Sequence, residues 1–271
     1  MSDIQALAQE MLTAWRSGAT VIPPSTRDPG FNLTAAYQVE AAFRDLRLEA
    51  GRSTAGLKVG YANRAMWRAL KMETLVWAHM YDDTLHFSHG APASFELPYF
   101  RSPKIEPEIV FKLKAPVAVS SMDAAGALAA VEWMALGFEI IDNPYPDWNF
   151  KPADFVAAFG LHLGLVIGPP CDLDESSLSA ISESLANFKV RLFSDNQLVD
   201  EGSGRNSLRN PALSLAELAG AASRAPVPNP LMPGDLVSTG TLTAGSPVAR
   251  GEEWRVEVEG LPVSGLTLRL S

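Results

Sequence analysis

The sequence predicts an α+β protein in which a small helical N-terminal portion precedes a larger domain dominated by β-structure. Apolar residues recur at helical spacing near the N-terminus, whereas beyond about residue 100 most apolar runs are short and are interrupted by Pro, Gly, Asn and Asp. At 271 residues the chain is long enough for one large domain with a smaller appendage. We therefore expect a helix-rich portion over residues 1–75 and a β-rich domain over residues 76–271.

Two helices are predicted in the N-terminal portion. Residues 3–16 carry apolar side chains on one helical face, and a second helix begins near Asn32 or Thr34 and ends at Gly51. Three further stretches, "SMDAAGALAAVEWMA", "DESSLSAISESLANF" and "SLAELAGAASRA", also have helical spacing. The first two begin with Ser or Asp residues that are suited to capping a helix.

The remaining chain is predicted to be rich in strands. "AGLKVGY" is a short strand, and "RAMWRALKM" forms one or two helical turns after it. "FKVRLFSDNQLVDEGSG" predicts a hairpin that turns at Asp195 and Asn196. "LMPGDLVSTGTL" and "EEWRVEVEGLPVSGLTLRL" supply further strands near the C-terminus.

Composition and charge narrow the classes of function. The net charge of −9 argues against a nucleic-acid backbone as partner. No apolar run reaches the roughly 18–20 residues that a membrane span needs, and the first residues lack the pattern of a secretory signal. The single cysteine, Cys171, excludes an intrachain disulfide. We expect a soluble, cytoplasmic protein that binds neither nucleic acid nor membrane.

A pair of acidic residues marks the predicted strand "SPKIEPEIVFKL". Glu106 and Glu108 are two residues apart, so their carboxylates project to the same side of the strand. Like charges this close raise at least one pKa unless a cation neutralises them, and Mg²⁺ or Mn²⁺ prefers oxygen ligands. Pro107 between them indicates an edge strand or the mouth of a sheet. The alternative is a solvated edge whose charges prevent aggregation.

Two further charged residues lie in apolar runs. Glu139, in "LGFEIIDNPYPDW", needs a partner because an isolated buried carboxylate is costly. A set of three carboxylates would bind a divalent ion and leave positions open for water and substrate. Lys58, in "GLKVGYAN", is either a surface lysine that reaches solvent or a residue that stabilises charge or shuttles a proton beside a metal-bound oxyanion.

Four segments together resemble a known enzyme family. "GLKVGYAN", "IEPEIVFKL", "GFEIIDNPYPDW" and "LMPGDLVSTGTL" occur in the order and approximate spacing of the fumarylacetoacetate hydrolase superfamily. Within it, the chain most resembles the branch of 2-keto-4-pentenoate hydratases and 4-oxalocrotonate decarboxylases. Each motif alone is weak, but their ordered combination is specific and covers nearly the whole chain. The resemblance implies a mixed β-sandwich roll, a smaller helical N-terminal portion and a metal-dependent active site.

The resemblance also implies an assembly. Members of the superfamily are usually homo-oligomers, and decarboxylase and hydratase relatives associate in this branch. We therefore expect a homo-oligomer, with a complex with a paralogous decarboxylase or hydratase as a further possibility.

The resemblance assigns roles to particular residues. The metal ligands for Mg²⁺ or Mn²⁺ would be Glu106, Glu108 and Glu139, and Lys58 would be the active-site lysine. The remaining catalytic and substrate-binding positions that match the family are Asp82 or Asp83, Lys151, Thr239, Gly240 and Thr241.

The sequence departs from the family pattern at two places. Where the hydratase branch has an Ala-Asp-Asn-x-Ser stretch, residues 158–162 read "AFGLH". His162 either replaces a lost substrate contact or acts as an acid–base group, or it is a histidine satisfied by a backbone carbonyl at the start of a strand. The arginine expected after Asn143 is replaced by Pro144. Both changes leave the expected metal ligands intact and put the usual substrate in doubt.

The expected chemistry starts from a small 2-oxo or 2-hydroxydienoic acid that chelates the ion, which stabilises its enolate form. Our first expectation is hydration of a short 2-hydroxydienoate or 2-oxoenoate in aromatic catabolism. The same site would serve a 4-oxalocrotonate-type decarboxylase or an acylpyruvate C–C hydrolase. A fourth alternative is a non-catalytic paralogue that binds 2-oxo acids. A last segment, "GSGRNSLRNP", resembles a family loop beside the site, although a plain flexible turn fits it equally well.

Overall fold

The structure is a computed structural model, and it describes residues 3–88, 92–98, 102–117 and 123–271. Its helices are α1 (Ile4–Ser17), α2 (Pro24–Arg27), α3 (Leu33–Glu49), α4 (Arg64–Leu70), α5 (Ala124–Leu128), α6 (Pro152–Ala157), α7 (Leu178–Asn187) and α8 (Pro211–Arg224). Its strands are β1 (Thr54–Gly60), β2 (Val76–Tyr81), β3 (Leu85–Phe87), β4 (Ala93–Phe95), β5 (Lys104–Leu113), β6 (Val131–Ile141), β7 (His162–Ile167), β8 (Cys171–Asp172), β9 (Lys189–Ser194), β10 (Gln197–Ser203), β11 (Leu236–Ser238), β12 (Ser246–Pro247), β13 (Glu253–Glu259) and β14 (Leu266–Leu270). Short 3₁₀ turns occupy Asp82–Thr84, Phe159–Leu161, Glu175–Ser177 and Gly204–Asn206.

The strands form two sheets. The larger sheet has the order β2-β1-β11-β5-β6-β7-β3, with β12 paired to β5 and β8 paired to β6. The smaller sheet has the order β10-β9-β13-β14-β4. The first three helices lie in residues 4–49, where α3 packs against α1, and α3 also packs against α6. This architecture confirms the predicted α+β fold with a helical N-terminal portion.

The two N-terminal helices begin and end close to the predicted residues. The Asp3 carboxylate accepts hydrogen bonds from the backbone N–H groups of Gln5 and Ala6, and the α1 helix stops at Gly18 in the left-handed conformation. The Asn32 side chain caps α3 in the same way. Helix α1 buries Leu7 and Met11 on one face, as its apolar spacing predicts.

A buried polar contact holds β2 against α3. One carboxylate oxygen of Glu40 on α3 accepts from the backbone N–H of His79 at 3.0 Å and lies 2.6 Å from its ring Nδ1. Burial alone lowers the pKa of His79, but the neighbouring Glu40 carboxylate raises it above its ordinary value. The helical portion is therefore tied to the large sheet through a charge-assisted contact as well as apolar packing.

One helix prediction is wrong in its extent. Within "SMDAAGALAAVEWMA" the helix covers only Ala124–Leu128, and Val131 already begins strand β6; residues 121 and 122 lie outside the described residues. The physical reason is tertiary: β6 pairs along its length with β5. Those ladder hydrogen bonds override the weak helical preference of the segment, which β-branched and aromatic residues already reduce.

The other short-range predictions agree with the structure. Asp195 and Asn196 connect β9 to β10, and their φ angles of 46° and 67° are those that a type I′ hairpin turn requires. Strand β1 forms where "AGLKVGY" predicts it. It precedes residue 76 in sequence and pairs with β2 and β11 of the large sheet; the domain boundary at residues 75 and 76 stays a prediction.

Strand β5 is an interior strand, so the edge position expected from Pro107 is wrong. It pairs with β6 on one side and with β11 and β12 on the other. The latter two strands cover residues 110–112 and 104–105, and the loop between them passes beside Pro107. The Pro107 carbonyl accepts from the Leu242 backbone N–H of that loop at 2.8 Å. Proline is tolerated because its missing N–H faces a loop instead of a strand ladder.

Within the described ranges, no helix combines the length and the apolar character needed to cross a membrane.

We predict that Gly56→Ala destabilises the protein more than Gly51→Ala. Both glycines have positive φ angles, 136° and 77°, a backbone conformation that strains an L-residue. A Cβ at Gly51 would meet open space, whereas one at Gly56 would lie 1.9 Å from the Leu236 carbonyl oxygen and force β1 away from β11. We expect Gly56→Ala to lower the melting temperature by at least about 6 °C and Gly51→Ala by about 4 °C or less. Equal shifts would contradict the close approach of these strands.

Candidate metal centre and active site

Three carboxylates converge where β5 and β6 lie side by side. Glu106 and Glu108 project from the same face of β5, and the register of the two strands places Glu106 opposite Glu139. Each of the three offers a carboxylate oxygen, and these atoms all lie within 4.8 Å of one another. Glu108 and Glu139 are fully buried, and Glu106 is partly exposed to the adjoining cavity. The structure thus brings together the three residues expected to bind a metal.

Glu108 is oriented by the end of β11 and the chain that follows it. Its Oε2 accepts from the Ser238 hydroxyl at 2.6 Å and from the Gly240 backbone N–H at 2.7 Å. Gly240 has a φ of 97°, and a Cβ there would lie 2.7 Å from that of Ala62, so the position requires glycine. The second carboxylate oxygen of Glu108, Oε1, is buried and has no hydrogen-bond partner among the described residues. One oxygen is thereby fixed, and the other is left without a partner.

Glu139 lies between two basic side chains. The Lys58 Nζ is 2.9 Å from Glu139 Oε2, and the His162 Nδ1 is 2.8 Å from Glu139 Oε1. Lys58 is buried, and its Nζ also donates to the Gly160 carbonyl at 2.9 Å. The other ring nitrogen of His162, Nε2, lies 3.0 Å from the Thr84 hydroxyl oxygen. Both ring nitrogens of His162 therefore contact side chains, one of them the candidate metal ligand Glu139. The alternative in which a backbone carbonyl satisfies the histidine ring is wrong.

The three carboxylates of the cluster differ in how readily they ionise. Burial raises the pKa of Glu106 to about 7, with Lys58 lowering it and Glu139 raising it. Burial and the Glu139 charge raise the pKa of Glu108 well above its ordinary value. Burial also acts to raise the pKa of Glu139, but Lys58 and His162 outweigh it and bring that pKa below its ordinary value.

Lys58 keeps its positive charge in this setting. Burial alone lowers the pKa of a lysine, but attraction to Glu139, Glu106 and Glu108 raises the pKa of Lys58 above its ordinary value. The interpretation of Lys58 as a surface lysine is wrong, because only 1% of its side chain is exposed. One ammonium group therefore faces three carboxylates.

The cluster fits a divalent cation. The buried Glu108 Oε1 lacks a partner in the described chain, and leaving a buried carboxylate oxygen unpaired is costly. A Cβ at Gly245 would lie 2.9 Å from Glu106 Oε1, so a side chain at residue 245 would displace this carboxylate. Hard cations such as Mg²⁺ prefer carboxylate oxygens. Glu106, Glu108 and Glu139 can accordingly hold such an ion.

A left-handed turn fixes both Lys58 and His162. Phe159, Gly160 and Leu161 have φ angles of 40°, 69° and 60°, a conformation that costs non-glycine residues about 1–2 kcal/mol each. The turn directs the Gly160 carbonyl to Lys58, and His162 follows it directly. A Cβ at Gly160 would lie 2.6 Å from Lys58 Cδ, so glycine is required there.

The N-terminal helices support this turn. The Phe43 ring of α3 stacks on Phe159 with a centroid distance of 4.0 Å, and Trp15 of α1 contacts the same ring edge-on at 6.0 Å. The Trp15 indole N–H also donates to the His162 carbonyl at 3.2 Å. The helical portion thus stabilises a strained backbone segment at the centre of the candidate site.

A cavity of about 920 Å³ adjoins the cluster. Lys58 and Glu106 line it together with the apolar side chains of Phe155, Leu161 and Ile141. The Lys58 Nζ lies 5.0 Å from the centre of the Phe155 ring, which partly shields the ammonium from water. A substrate in this cavity would reach both a carboxylate of the cluster and a buried ammonium group.

The residues of the predicted Thr-Gly-Thr segment, residues 239–241, have two different roles. Gly240 and Thr241 line the cavity, where the Thr241 hydroxyl donates to the Thr243 carbonyl at 2.9 Å. Thr239 is buried and donates to the Ile109 carbonyl at 2.8 Å. Its contribution is to hold the segment against β5, since its hydroxyl already has a partner.

Three of the predicted site residues lie away from the cavity. Asp82 and Asp83 follow β2 and face arginines: Asp83 is ion-paired with Arg47 and with Arg52, the latter at 3.2 Å. The Lys151 side chain is exposed, and its backbone N–H donates to Asp154 at the start of α6. None of the three lines the cavity that contains Lys58. Roles for them in catalysis or substrate binding, and for His162 beyond its contact with Glu139, stay predictions.

Two residues at the site were not identified from the sequence. Ser238 orients Glu108, and Thr84 supports His162. Ser238 directly precedes the Thr-Gly-Thr segment, so its place in the motif was the available signal. Thr84 gives no comparable signal, because only the fold brings it next to residue 162.

Comparison with known protein families gives a match that spans the candidate metal centre. A sequence model described as "Fumarylacetoacetate (FAA) hydrolase C-terminal" matches residues 58–268. The chain belongs to this family. The match runs from Lys58 past the three glutamates, Ser238 and Gly240, so it includes every residue of the metal centre described above.

Relatives of this fumarylacetoacetate hydrolase family member include two kinds of lyase. The chain is 27% identical to a 2-hydroxyhexa-2,4-dienoate hydratase from Comamonas testosteroni, covering 96% of this chain and 97% of that protein. It is 28% identical to a 4-oxalocrotonate decarboxylase from Pseudomonas sp. strain CF600, over 89% of this chain and 87% of the relative. The fold resembles that of a 4-oxalocrotonate decarboxylase from Pseudomonas putida G7 complexed with magnesium and adipate, with a TM-score of 0.88, 23% identity, and coverage of 99% and 97%.

We predict that Glu108→Gln in this family member weakens Mn²⁺ binding at least about tenfold, because one charged oxygen ligand is lost. The fold should survive, since a glutamine can still accept from Ser238 and Gly240. Titration of free Mn²⁺ by electron paramagnetic resonance measures the affinity. Glu132→Gln, an exposed change on β6, is the matched control and should bind Mn²⁺ as the parent does. Unchanged affinity in Glu108→Gln would contradict the metal centre.

Proposed function

We propose that this protein is a divalent-metal-dependent lyase that adds water to a short 2-hydroxydienoate or 2-oxoenoate, as in the catabolism of aromatic compounds. The observation that carries the proposal is the cluster of three carboxylates with the buried Lys58 ammonium 2.9 Å from Glu139, at the wall of a cavity that a small organic acid can enter. The hydratases among the relatives, which the chain matches over nearly its full length, support this reaction type.

Glu106, Glu108 and Glu139 would hold Mg²⁺ or Mn²⁺. Carboxylate-only sites with open positions favour these hard ions over zinc, which prefers nitrogen and sulfur ligands. A bound ion would supply Lewis acidity at a 2-oxo acid. Support for this ion class comes from the donor set and from the unpaired Glu108 oxygen.

Lys58 would stabilise negative charge that develops on the substrate. Its ammonium group is positioned by Glu139 and by the Gly160 carbonyl, so it does not need to reorganise when an enolate oxygen forms in the cavity. A lysine with this contact can also donate a proton to the dienol carbon chain during ketonisation. The apolar walls formed by Phe155 and Leu161 strengthen both effects by excluding water.

Decarboxylation is the second candidate. The 4-oxalocrotonate decarboxylases among the relatives are as similar to the chain as the hydratases are, at 27–28% identity. The enolate that Lys58 would stabilise is common to water addition and to loss of CO₂, so the described centre serves both. Acylpyruvate hydrolysis needs the same electron sink, and a binding-only paralogue would take up metal and a 2-oxo acid without turnover.

We also propose that the protein is a homo-oligomer and that it is located in the cytoplasm.

We predict that Lys58→Met abolishes turnover and leaves metal binding intact. Loss of the ammonium should lower kcat at least about a hundredfold, whereas the three carboxylates remain and lose only a competing positive charge. The substrates are 2-hydroxypenta-2,4-dienoate, 4-oxalocrotonate and an acylpyruvate, followed by ultraviolet absorbance with products identified by NMR. Glu106→Gln should lose both turnover and Mn²⁺ affinity. Lys189→Met, at an exposed position on β9, should lose neither.

Two results would contradict this function. One is full activity of Lys58→Met with any of the three substrates. The other is activity of the parent protein that persists after complete removal of divalent ions with a chelator. Metal and oxalate binding without turnover of any substrate would instead identify the binding-only paralogue.

A further inference from the structure

A line of buried polar side chains leads away from the metal centre. Glu139 Oε1 lies 2.8 Å from His162 Nδ1, and the other ring nitrogen, Nε2, lies 3.0 Å from the Thr84 hydroxyl oxygen. The three residues are almost fully buried, with 0%, 2% and 3% of their surface exposed. Of the three, Glu139 alone belongs to the carboxylate cluster, so His162 and Thr84 act on the metal centre through this one ligand candidate.

Neighbouring segments of the large sheet fix the spacing of these residues. Glu139 lies on β6, His162 begins β7, and Thr84 directly precedes β3. Strand β7 pairs with β6 on one side and with β3 on the other. Because core strands of a sheet separate only at a high cost in free energy, the side-chain contacts between them keep their geometry.

The Thr84 hydroxyl is itself fixed by the backbone. It accepts from the Tyr81 N–H at 3.1 Å and donates to the Tyr81 carbonyl at 2.9 Å. A hydroxyl has one proton to donate and two lone pairs that accept. Since the Tyr81 carbonyl takes the proton, the Thr84 oxygen accepts from the Nε2–H of His162.

Contacts at both nitrogens fix the orientation of the His162 ring. A half-turn of the imidazole about its Cβ–Cγ bond would place carbon atoms against Glu139 and Thr84, and both hydrogen bonds would be lost. The backbone of His162 is held as well, because the Trp15 indole N–H donates to its carbonyl at 3.2 Å. Nδ1 is therefore directed at the Glu139 carboxylate in one fixed direction.

Glu139 is consequently held at both of its oxygens. Oε1 lies against the His162 ring, and Oε2 lies 2.9 Å from the Lys58 Nζ. A carboxylate that chelates an ion through two oxygens must turn both of them towards that ion, and such a rotation of Glu139 would break these contacts. Glu108 is restricted in a similar way, because two hydrogen bonds occupy its Oε2 and leave Oε1 without a partner in the described chain.

We propose that His162 and Thr84 are positioning residues that restrict Glu139 to coordination through one oxygen and thereby make the metal centre select Mg²⁺ over Ca²⁺. The inference rests on the metal centre of the proposed function. Mg²⁺ demands a near-ideal octahedron at about 2.0–2.1 Å, whereas Ca²⁺ takes about 6–8 oxygen ligands at about 2.3–2.6 Å and accepts bidentate carboxylates. A carboxylate that cannot turn disfavours the larger ion. Residue 162 lies in the stretch that departs from the family pattern, so the resemblance does not predict this contact.

Competition against Mn²⁺ measures the selectivity without turnover. The full-length protein is loaded with Mn²⁺, which is displaced by Mg²⁺ or by Ca²⁺, and the released Mn²⁺ is followed by electron paramagnetic resonance. Mg²⁺ and Ca²⁺ carry the same charge, so a change of charge near the centre alters both affinities alike. The ratio of the two affinities therefore reports on the geometry of the ligands. We expect the parent protein to bind Mg²⁺ more tightly than Ca²⁺.

Two substitutions release the Glu139 carboxylate. His162→Leu removes both contacts of the ring, and Thr84→Val removes the partner of Nε2 and leaves the ring in place. Each should lower the ratio of Mg²⁺ affinity to Ca²⁺ affinity at least about fivefold, because Glu139 can then turn towards Ca²⁺. Thr84→Ser keeps the hydroxyl and should keep the parent ratio.

Matched controls separate positioning from stability. His79→Leu removes another buried histidine that contacts a carboxylate, that of Glu40, which is not a metal-ligand candidate. Thr74→Val removes another threonine hydroxyl, which donates to Glu217 at 2.6 Å. Both controls should lower the melting temperature and keep the parent ratio of affinities.

Three results would overturn the inference. One is a parent protein that binds Ca²⁺ more tightly than Mg²⁺. Another is a parent ratio that persists in Thr84→Val, which decides the matter also where His162→Leu does not fold. The third is a loss of selectivity in Thr84→Ser as large as that in Thr84→Val, since it would trace the effect to packing of the side chain and not to its hydroxyl.

The same titrations separate this inference from the proposed function. If the parent binds Mn²⁺ and every variant shows the parent ratio, the metal centre stands and the role of His162 and Thr84 is wrong. If the parent protein binds no Mn²⁺, the proposed function fails, and the inference fails with it.

Discussion

Repulsion among three carboxylates on adjacent strands is the constraint on which the rest of the site depends. Glu106, Glu108 and Glu139 are forced together by the register of β5 and β6, and the single ammonium of Lys58 offsets only part of their charge. An arrangement of this kind is costly in an interior unless another positive charge is bound. The stability cost of the cluster and its capacity to bind a divalent ion are therefore two consequences of one geometry.

The helical N-terminal portion takes part in the same arrangement. Lys58 is held by a carbonyl of the left-handed turn at residues 159–161, and that turn is packed against Trp15 and Phe43. Removing these rings would leave a strained segment without the contacts that stabilise it. The N-terminal helices thus contribute to the position of the lysine although they supply no carboxylate of the metal centre.

Local sequence signals predicted the parts of this structure that depend on local physics. Alternation along β5 placed Glu106 and Glu108 on one face, and the pair Asp195-Asn196 specified a hairpin turn. Features set by distant partners were missed: the segment at Val131 became a strand because β5 was available to pair with it. The contact between Thr84 and His162 joins residues 78 positions apart, and no local pattern marks it.

Anomalous diffraction from crystals grown with Mn²⁺ tests the metal centre most directly. We expect one strong anomalous peak bounded by Glu106, Glu108 and Glu139, at about 2.0–2.6 Å from one oxygen of each, the range that hard cations show with carboxylates. The unpaired Oε1 of Glu108 should be the oxygen that this residue contributes. A site that contains no peak at saturating Mn²⁺, or a peak held by other residues, would contradict a metal centre formed by these three glutamates.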